Sequence, residues 1–368
     1  MNEPDGVQLR PVTILTGFLG SGKTTTLARL LKAPEFAGTV AIINEFGEIG
    51  LDHLLIETSE ERLALLDNGC VCCTVRDDLV ETLLRLVARA ERGELPAFRR
   101  VVIETTGLAD PAPILHALMA EPRLAAAYAI DGVVTTVDAV NGLATLAARP
   151  EAVKQAAVAD RLLITKADLA DEARLAPLLA RLAALNPTAQ MLRSRDGDAP
   201  PASLIGVALE AVRDERAVVE GFAHAALASQ RPRFRADAHD EGCADPGCAD
   251  PRHGLQHGAD ISTFSVVIDE PVSWAAFKQW LEYLALLKGE DLLRFKGLVH
   301  IAEKPETPIV IHGVQHVFHP PRELERWPSE DRRTRLVFIT RGIPRALITS
   351  TLSKFAAIDV ARMLRPAA

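Results

Sequence analysis

The sequence predicts an α/β fold in which helices cover both faces of a parallel sheet, followed by a smaller α+β domain. Three observations point to this fold. Short apolar runs alternate with amphipathic helical patterns throughout residues 1–228, as in strand–helix–strand units. The first apolar run passes directly into a glycine-rich loop. After residues 229–260, which contain few large apolar side chains, the pattern changes to several short strand patterns and two helical ones.

The strands of the first domain are predicted from apolar runs that end in a polar residue or a glycine. These runs are residues 12–16, 40–44, 101–104, 132–137 and 162–165. Amphipathic patterns between them predict helices at residues 24–31, 77–92 and 175–184. Because ligands of parallel sheets bind at the carboxyl ends of the strands, we expect the functional site at that edge.

Residues 229–260 are rich in Pro, Gly, Asp, Ala and His, a composition that predicts a flexible linker. The remainder, residues 261–368, predicts a second domain. Its expected strands are residues 263–268, 298–302, 309–312, 316–319 and 334–340, and its expected helices are residues 273–287 and 344–355. The predicted organisation is therefore 1–228, 229–260 and 261–368.

Composition and charge exclude several classes of protein. The 368 residues carry 41 basic and 49 acidic side chains, a net charge of −8, which argues against a dedicated nucleic-acid-binding protein. The sequence contains no run of about 18–20 uncharged apolar residues, the length that spans a membrane. The first ten residues include Glu3 and Asp5 and no apolar core, so we expect no secretory signal and a cytoplasmic location.

The glycine-rich loop matches the phosphate-binding pattern G-x-x-x-x-G-K-[ST] between a strand and a helix. Its glycines allow successive backbone N–H groups to turn around a phosphate, and the helix N-terminus adds partial positive charge. We expect Lys23 to reach the β- and γ-phosphates and the Thr24 hydroxyl to be a Mg²⁺ ligand. The residues expected to contact the nucleotide here are Gly17, Gly20, Ser21, Gly22, Lys23, Thr24 and Thr25.

Two further strand ends fit the same site. The third predicted strand ends in Glu104, an acid placed to hold metal-bound water, and Gly107 follows, a glycine able to move with the γ-phosphate. The fifth ends in Thr165, and we expect Thr165, Lys166 and Asp168 to bind the nucleotide. An aspartate there can accept hydrogen bonds from guanine N1–H and its exocyclic amine, which adenine does not offer, so the predicted nucleotide is GTP. Taken alone, this turn is also an ordinary strand-to-helix connection.

Three of the five cysteines lie within four residues, at Cys70, Cys72 and Cys73. Neighbouring cysteines bridge each other poorly, whereas thiolates are good ligands for Zn²⁺ or Cu⁺. We therefore predict a transition-metal site, with Zn²⁺ as the favoured metal and a fourth group completing the shell. Buried free thiols and a redox pair are the alternatives.

An acidic segment at residues 44–52 lies between the phosphate loop and the cysteines. It follows the second predicted strand, the position of a segment that responds to the γ-phosphate. Glu48 and Asp52 are the candidates for orienting the attacking water, which makes them catalytic candidates beside Lys23 and Glu104. A solvated acidic loop is the plain alternative.

Together these motifs resemble the CobW-type family of P-loop GTPases, which includes cobalamin-synthesis proteins, nitrile hydratase activators and zinc chaperones. The resemblance rests on residues 17–25, 44–50, 69–73, 104–107 and 165–168 and, in the second domain, on residues 293–297, Gln315, Trp327 and 334–342. It implies GTP binding and slow hydrolysis. It also implies a transition metal, usually Zn²⁺, held at the three neighbouring cysteines, and delivery of that metal to a client metalloprotein. It also implies that Glu48 joins the metal site.

The sequence departs from the family pattern at three positions. Thr165 takes the place of the expected asparagine, and Ile43 stands where some members carry a further glutamate. Phe18 stands where some related metal-insertion NTPases carry a second lysine, so activation through such a lysine is not expected.

A second cluster of ligand-type residues lies in the predicted linker between residues 239 and 257. Its members are His239, Cys243, Cys248, His253 and His257. Five such groups in a flexible segment favour a low-affinity, fast-exchanging metal reservoir, and a plain linker is the alternative.

The predicted function is that of a GTP-dependent metallochaperone with a slow intrinsic GTPase rate. Its expected cofactors are GTP and Mg²⁺, its cargo is Zn²⁺ (with Co²⁺ or Fe²⁺ as alternatives), and its partner is the apo form of a client metalloprotein. We expect a monomer or weak homodimer and neither nucleic acid nor membrane as a partner. Three alternatives stay open: a metal buffer or sensor that binds nucleotide only for stability, a thiol redox switch, and a maturation factor for a cobalt or iron enzyme.

Overall fold

The computed structural model describes residues 9–43, 79–194, 199–206 and 261–356, together with the backbone of residues 55–58, 62–65 and 75–78. The chain divides into two compact units. The first comprises Met1–Gly142, Lys154–Ala176 and Ala189–Arg213, and the second comprises Leu143–Val153, Pro177–Thr188 and Asp214–Ala368. No helix among the described residues is long and apolar enough to cross a membrane.

The part of the chain up to residue 206 contains a parallel sheet and the helices that connect its strands. The strands are β1 (Arg10–Gly17), β2 (Thr39–Ile43), β3 (Leu55–Thr58), β4 (Arg62–Leu65), β5 (Arg100–Glu104), β6 (Tyr128–Asp138), β7 (Arg161–Thr165) and β8 (Gln190–Arg193). The helices are α1 (Lys23–Leu30), α2 (Val75–Glu91), α3 (Ala112–Ala120), α4 (Pro122–Ala125), α5 (Gly142–Ala148), α6 (Pro150–Val158) and α7 (Glu172–Leu185).

Six of these strands, within the described residues, form one sheet in the order β2-β5-β1-β6-β7-β8. Every pairing in it is parallel, and β3 pairs with β4 in a separate antiparallel hairpin. Because β1 lies between β5 and β6, its carboxyl end is beside theirs. The register pairs Leu15 with Glu104 and Asp138 with Thr165. Two predicted site residues, Glu104 and Thr165, therefore end their strands at one edge.

The central strands β5 and β7 are buried on both faces, as expected for continuous apolar runs rather than alternating ones. On one face Leu15 packs in a cluster with Leu27 and Leu30 of α1. The next residue back, Ile14, has its side chain on the other face and is 0% exposed. Rigid packing on both sides fixes where each strand ends, and therefore where the loops that carry function begin.

One carboxylate is buried near the amino end of β6. Asp131 is 2% exposed, and its Oδ2 accepts hydrogen bonds from Thr13 Oγ1 at 2.9 Å and from the Gly206 N–H at 3.0 Å. Burial raises the pKa of this carboxyl, and the charge of Asp160 adds to the rise, while the hydrogen bonds and nearby Arg100 oppose it. These bonds tie residue 206 to two central strands.

The second unit contains an antiparallel sheet built from the residues after 260. Its strands are β9 (Ile261–Ile268), β10 (Arg294–Ile301), β11 (Lys304–Val314), β12 (Val317–Phe318), β13 (Arg322–Glu323) and β14 (Thr334–Arg341), and its helices are α8 (Trp274–Lys288) and α9 (Arg345–Ala356). The strand order is β12-β11-β10-β14-β9, with β13 pairing with β11. Phe277 and Trp280 of α8 pack with Phe295 and Phe338 of the sheet in one apolar core.

The predicted fold class is confirmed, with differences at the ends of elements. Strand β10 begins at Arg294, four residues before the predicted start, because Phe295 faces the core while its cationic neighbours belong to the other face. The predicted strand at 316–319 is reduced to Val317–Phe318. The hairpin of β3 and β4, strand β8 and helices α3 to α6 were not predicted individually. The predicted domain boundaries stay a prediction.

Candidate functional site

The loop between β1 and α1 owes its shape to three glycines. Gly20 and Gly22 have φ angles of 71° and 91°, in the left-handed region that favours glycine. A Cβ atom on Gly17 would lie 2.2 Å from Thr136 Oγ1, so no larger residue fits there. The first turn of α1 forms at once, since Thr26 N–H donates to Gly22 O at 2.9 Å. The loop therefore passes directly into a helix N-terminus, a favourable place for a phosphate.

Buried hydroxyl groups fasten this loop to the neighbouring strands. Ser21 Oγ lies 2.6 Å from Thr136 Oγ1 on β6. Thr165 Oγ1, on β7, donates to Ser21 O at 2.7 Å, and Thr165 is 3% exposed. The threonine that replaces the expected asparagine thus supports the loop from inside the fold.

Lys23 places its ammonium group over its own loop. The residue is buried at the start of α1, and Nζ donates to Phe18 O at 3.3 Å. A cation held in this position adds positive charge to the phosphate loop. Thr25, the next residue but one, is exposed on the first turn of α1.

The Thr24 hydroxyl donates to Glu104 Oε1 at 2.6 Å. Glu104 is buried at the end of β5, and the following residue fixes this strand end to β1: Thr105 N–H donates to Leu15 O at 2.9 Å, and Thr105 Oγ1 donates to Thr16 Oγ1 at 2.7 Å. Two hard oxygen donors, one of them a carboxylate, meet beside the phosphate loop. This donor set fits Mg²⁺, which binds through one or two such groups together with phosphate and water.

Gly107 lies against the phosphate loop. A Cβ atom added to it would approach Leu19 N to 2.6 Å and Leu19 Cα to 2.7 Å. The loop after β5 therefore contacts the phosphate loop backbone to backbone, at a distance that only glycine allows.

Lys166 links the phosphate loop to the end of β6. Its Nζ donates to Gly20 O at 2.9 Å and to Asp138 Oδ2 at 2.7 Å, and its backbone has a φ of 55°. Burial raises the pKa of the Asp138 carboxyl, but the bonds from Lys166 and from the backbone of Asn141 and Val140 outweigh it, so that the pKa is lower than usual. Asp138 is therefore an ionised partner of Lys166.

Asp168 is exposed in the turn that follows β7. That turn is closed by Leu169 N–H, which donates to Lys166 O at 3.0 Å. The structure thus places Lys166 and Asp168 on the same side of the sheet edge as the phosphate loop.

Sequence reasoning missed Asp138 as a site residue. The signal in the sequence was that Asp138 is a polar residue directly after an apolar run. The structure shows that this run forms the strand beside β1. That signal is shared by many strand ends, so it identifies the residue only when the strand order is known.

The predicted metal ligands Cys70, Cys72 and Cys73 lie outside the described residues. The same is true of Glu48, Asp52 and the cluster at 239–257. Among the residues that are described, no group of three or more His, Cys, Asp or Glu side chains is arranged to hold a metal.

A strand, a glycine loop and a helix with a paired threonine and carboxylate define a P-loop nucleotide-binding protein. A family model described as the CobW/HypB/UreG nucleotide-binding domain matches residues 11–193, and the model of the cobalamin synthesis protein CobW C-terminal domain matches residues 261–356. With the relatives that follow, these matches show that the chain belongs to the CobW family, as the sequence motifs predicted.

Two relatives and one solved structure illustrate the similarity. The zinc chaperone YjiA of Escherichia coli is 33% identical over 90% of this chain and 94% of its own length. The zinc chaperone CobW of Pseudomonas aeruginosa is 32% identical over 93% of this chain and 90% of its own length. A crystal structure of zinc-bound YjiA GTPase from E. coli has a TM-score of 0.66 and 31% identity, covering 94% of this chain and 99% of that one.

Proposed function

We propose that this protein is a GTPase that binds a transition metal, with Zn²⁺ as its cargo, and transfers it to the apo form of a client metalloprotein. The observation that carries the nucleotide part is the meeting of the phosphate loop, the Thr24–Glu104 pair and Lys166 at one sheet edge. The metal part is supported by relatives named zinc chaperones, which match along almost the whole chain.

The phosphate loop would hold the nucleotide through its backbone and Lys23. Thr24 would bind Mg²⁺ directly, and Glu104 would hold it through a water molecule. Bound there, the ion neutralises charge on the β- and γ-phosphates. The chain's own contribution is positioning: the buried contacts of Thr105 with β1 hold Glu104 in place, so the site is ready before the nucleotide arrives.

Lys166 and Asp168 would bind the guanine base. The stem of Lys166 crosses from β7 to Gly20 O, which places an aliphatic surface beside the phosphate loop. A carboxylate at Asp168 can accept from the two adjacent N–H groups on one edge of guanine. Thr165 then acts indirectly, by holding the loop through Ser21 O.

Hydrolysis in such a site consists of orienting a water molecule and stabilising charge on the phosphates, so we expect a slow intrinsic rate. Glu48 and Asp52 are our candidates for orienting the water. They lie in the segment that follows β2, and β2 ends at the same sheet edge as the phosphate loop.

The cargo site is proposed at Cys70, Cys72 and Cys73, with Glu48 as an additional ligand. Thiolates bind Zn²⁺ tightly, and we propose that a change in the geometry of this site releases the metal. The segment that carries Glu48 comes before these cysteines in the chain and begins at the end of β2, so a change at the γ-phosphate could reach the metal through it. This is our proposal for how the nucleotide is coupled to the metal.

We further propose a cytoplasmic monomer or weak homodimer with domains at 1–228 and 261–368 joined by a linker.

The decisive experiment measures whether nucleotide changes metal affinity. Reduced, metal-free protein is titrated with Zn²⁺ against a chelating dye, once with a non-hydrolysable GTP analogue and Mg²⁺ and once with GDP and Mg²⁺. We expect at least about a tenfold difference in zinc affinity, which is about 1.4 kcal/mol of coupling. Cys72→Ser should abolish the difference, whereas Cys243→Ser, in the second cluster, should leave it in place.

Equal zinc affinities with the two nucleotides would contradict the proposal and favour a metal buffer with a structural nucleotide. Lys23→Ala separates the same two ideas in a second way. It should abolish both GTP turnover and the nucleotide effect on zinc, while a pure buffer would keep its full metal function.

A further inference from the structure

A buried glutamine on α6 holds the loop that follows β5. Gln155 is 1% exposed, and its Nε2 donates to Gly107 O at 3.2 Å and to Ala109 O at 2.9 Å. A side-chain amide nitrogen carries two hydrogens, so both donors of this residue are used on one loop. Its backbone carbonyl accepts from Thr135 Oγ1 at 2.9 Å, which fixes α6 to β6.

The same loop, residues 105–110, is attached at each end. At its start, Thr105 N–H donates to Leu15 O on β1. At its end, Asp110 Oδ2 pairs with Lys154 Nζ at 2.5 Å, and Asp110 Oδ1 accepts from Ala112 N–H at the beginning of α3 at 3.0 Å. Lys154 and Gln155 are neighbours on α6, so one helix holds both the middle and the end of this loop.

The attached position brings the loop against the phosphate cradle. Gly107 is close enough to the backbone of Leu19 that no side chain fits between them. A loop in this position can reach the terminal phosphate of a bound triphosphate, whereas in a diphosphate that phosphate is missing. We therefore expect a loop held in this position by α6 to respond to the presence or absence of the terminal phosphate.

We infer that Gln155 is a positioning residue that, through Gly107 and Ala109, holds loop 105–110 where it favours the triphosphate over the diphosphate. Lys154 acts with it through Asp110. The inference deepens the proposed GTPase function and rests on it. Its physical basis is ordering: a loop already held by hydrogen bonds loses less conformational freedom when it closes on a phosphate.

The test compares two nucleotides on the full-length, reduced protein. Gln155→Met keeps the length of the side chain and removes both donors. With Mg²⁺ present, the dissociation constant for a fluorescent non-hydrolysable GTP analogue should rise about tenfold, and that for GDP should stay within about twofold. Lys154→Met should shift the same ratio in the same direction by less, because the pair is partly exposed.

The control is Tyr128→Phe, which removes the buried bond from Tyr128 Oη to Leu83 O. This variant should lower thermal stability and leave the ratio of the two dissociation constants unchanged, which separates positioning from general destabilisation. An unchanged ratio of the two dissociation constants in Gln155→Met, whether or not both constants rise, would overturn the inference while leaving the GTPase proposal in place. A wild-type protein that binds neither nucleotide would overturn both.

If Gln155→Met fails to fold, hydrogen exchange on the wild-type protein decides the question. Amides of residues 105–110 should be better protected with the GTP analogue than with GDP, because contact with the terminal phosphate adds to the hydrogen bonds that already hold the loop. Equal protection would overturn the inference.

Discussion

Asp138 and Lys166 form an ion pair of 2.7 Å at the ends of two adjacent strands. The same ammonium group donates to Gly20 O, so one side chain joins the phosphate loop, the end of β6 and the turn after β7. The two groups are 38% and 11% exposed, the lysine more than the aspartate. The carboxylate therefore holds the lysine across the phosphate loop.

Asp138→Asn should weaken GTP binding about threefold to tenfold, since an amide holds Lys166 by a weaker, uncharged hydrogen bond. The effect should appear in the dissociation constants of GTP and GDP alike, because both carry guanine. Fluorescent-nucleotide titration measures it, and Asp171→Asn, which removes an exposed carboxylate that caps α7 through Arg174 N–H, is the charge-matched control.

The pH dependence of this ion pair follows from the direction in which the pKa of Asp138 is shifted. The pKa of Asp138 is lower than usual, so the pair contributes above the ordinary carboxyl range and is lost only as the pH falls through the lowered value. The difference between wild-type and Asp138→Asn affinities should thus be flat from about pH 5.5 to 8. A difference that disappears on going from pH 8 to 6 would show that another group controls Lys166.

Glu104→Gln tests the magnesium site. The amide oxygen can still accept from Thr24, so the local fold should persist, while the charge that holds the metal shell is lost. We expect Mg²⁺ to increase GTP affinity strongly in the wild type. The factor of this increase should be at least about tenfold smaller in Glu104→Gln. Titrations with and without a chelator measure this, with Glu35→Gln as the control. An undiminished magnesium effect would place the ion elsewhere.

Gly107→Ala should impair GTP binding and turnover more than GDP binding. The added Cβ atom would lie 2.6 Å from Leu19 N, so the loop after β5 must move away from the phosphate loop. Adding Leu19→Ala should not restore activity, because the clash includes backbone atoms. A double variant with wild-type turnover would show that the leucine side chain alone causes the conflict.

Asp131→Asn should stabilise the protein at pH 8 by about 1 kcal/mol, because an uncharged amide avoids the cost of burying a carboxylate. The folded pKa of Asp131 is raised. The contribution of Asp131 to wild-type stability is therefore fully present below the ordinary carboxyl pKa and is lost as the pH rises through the raised value. The difference in the free energy of unfolding between Asp131→Asn and the wild type should become smaller toward pH 4. Urea unfolding at several pH values measures it, and a gap independent of pH would contradict this account.

The sequence by itself determined the features in which neighbouring residues act together. A strand, a glycine loop and a helix follow one another at residues 10–30, so their geometry is a property of local backbone preferences and spacing. The same holds for the amphipathic pattern that predicts α8. The three clustered cysteines predict metal chemistry through residue type and proximity in the chain, and that site stays a prediction.

Only the tertiary structure decided which distant residues share the site. Gln155 reaches Gly107 across 48 positions, and Lys166 reaches Asp138 across 28. Neither Gln155 nor Asp138 has a local pattern that distinguishes it from an ordinary buried amide or strand-end acid. Thr165 shows the same limit, because its hydroxyl binds Ser21 O within the fold. These roles depend on the order of strands in the sheet, which is set by packing of both its faces and not by any single segment.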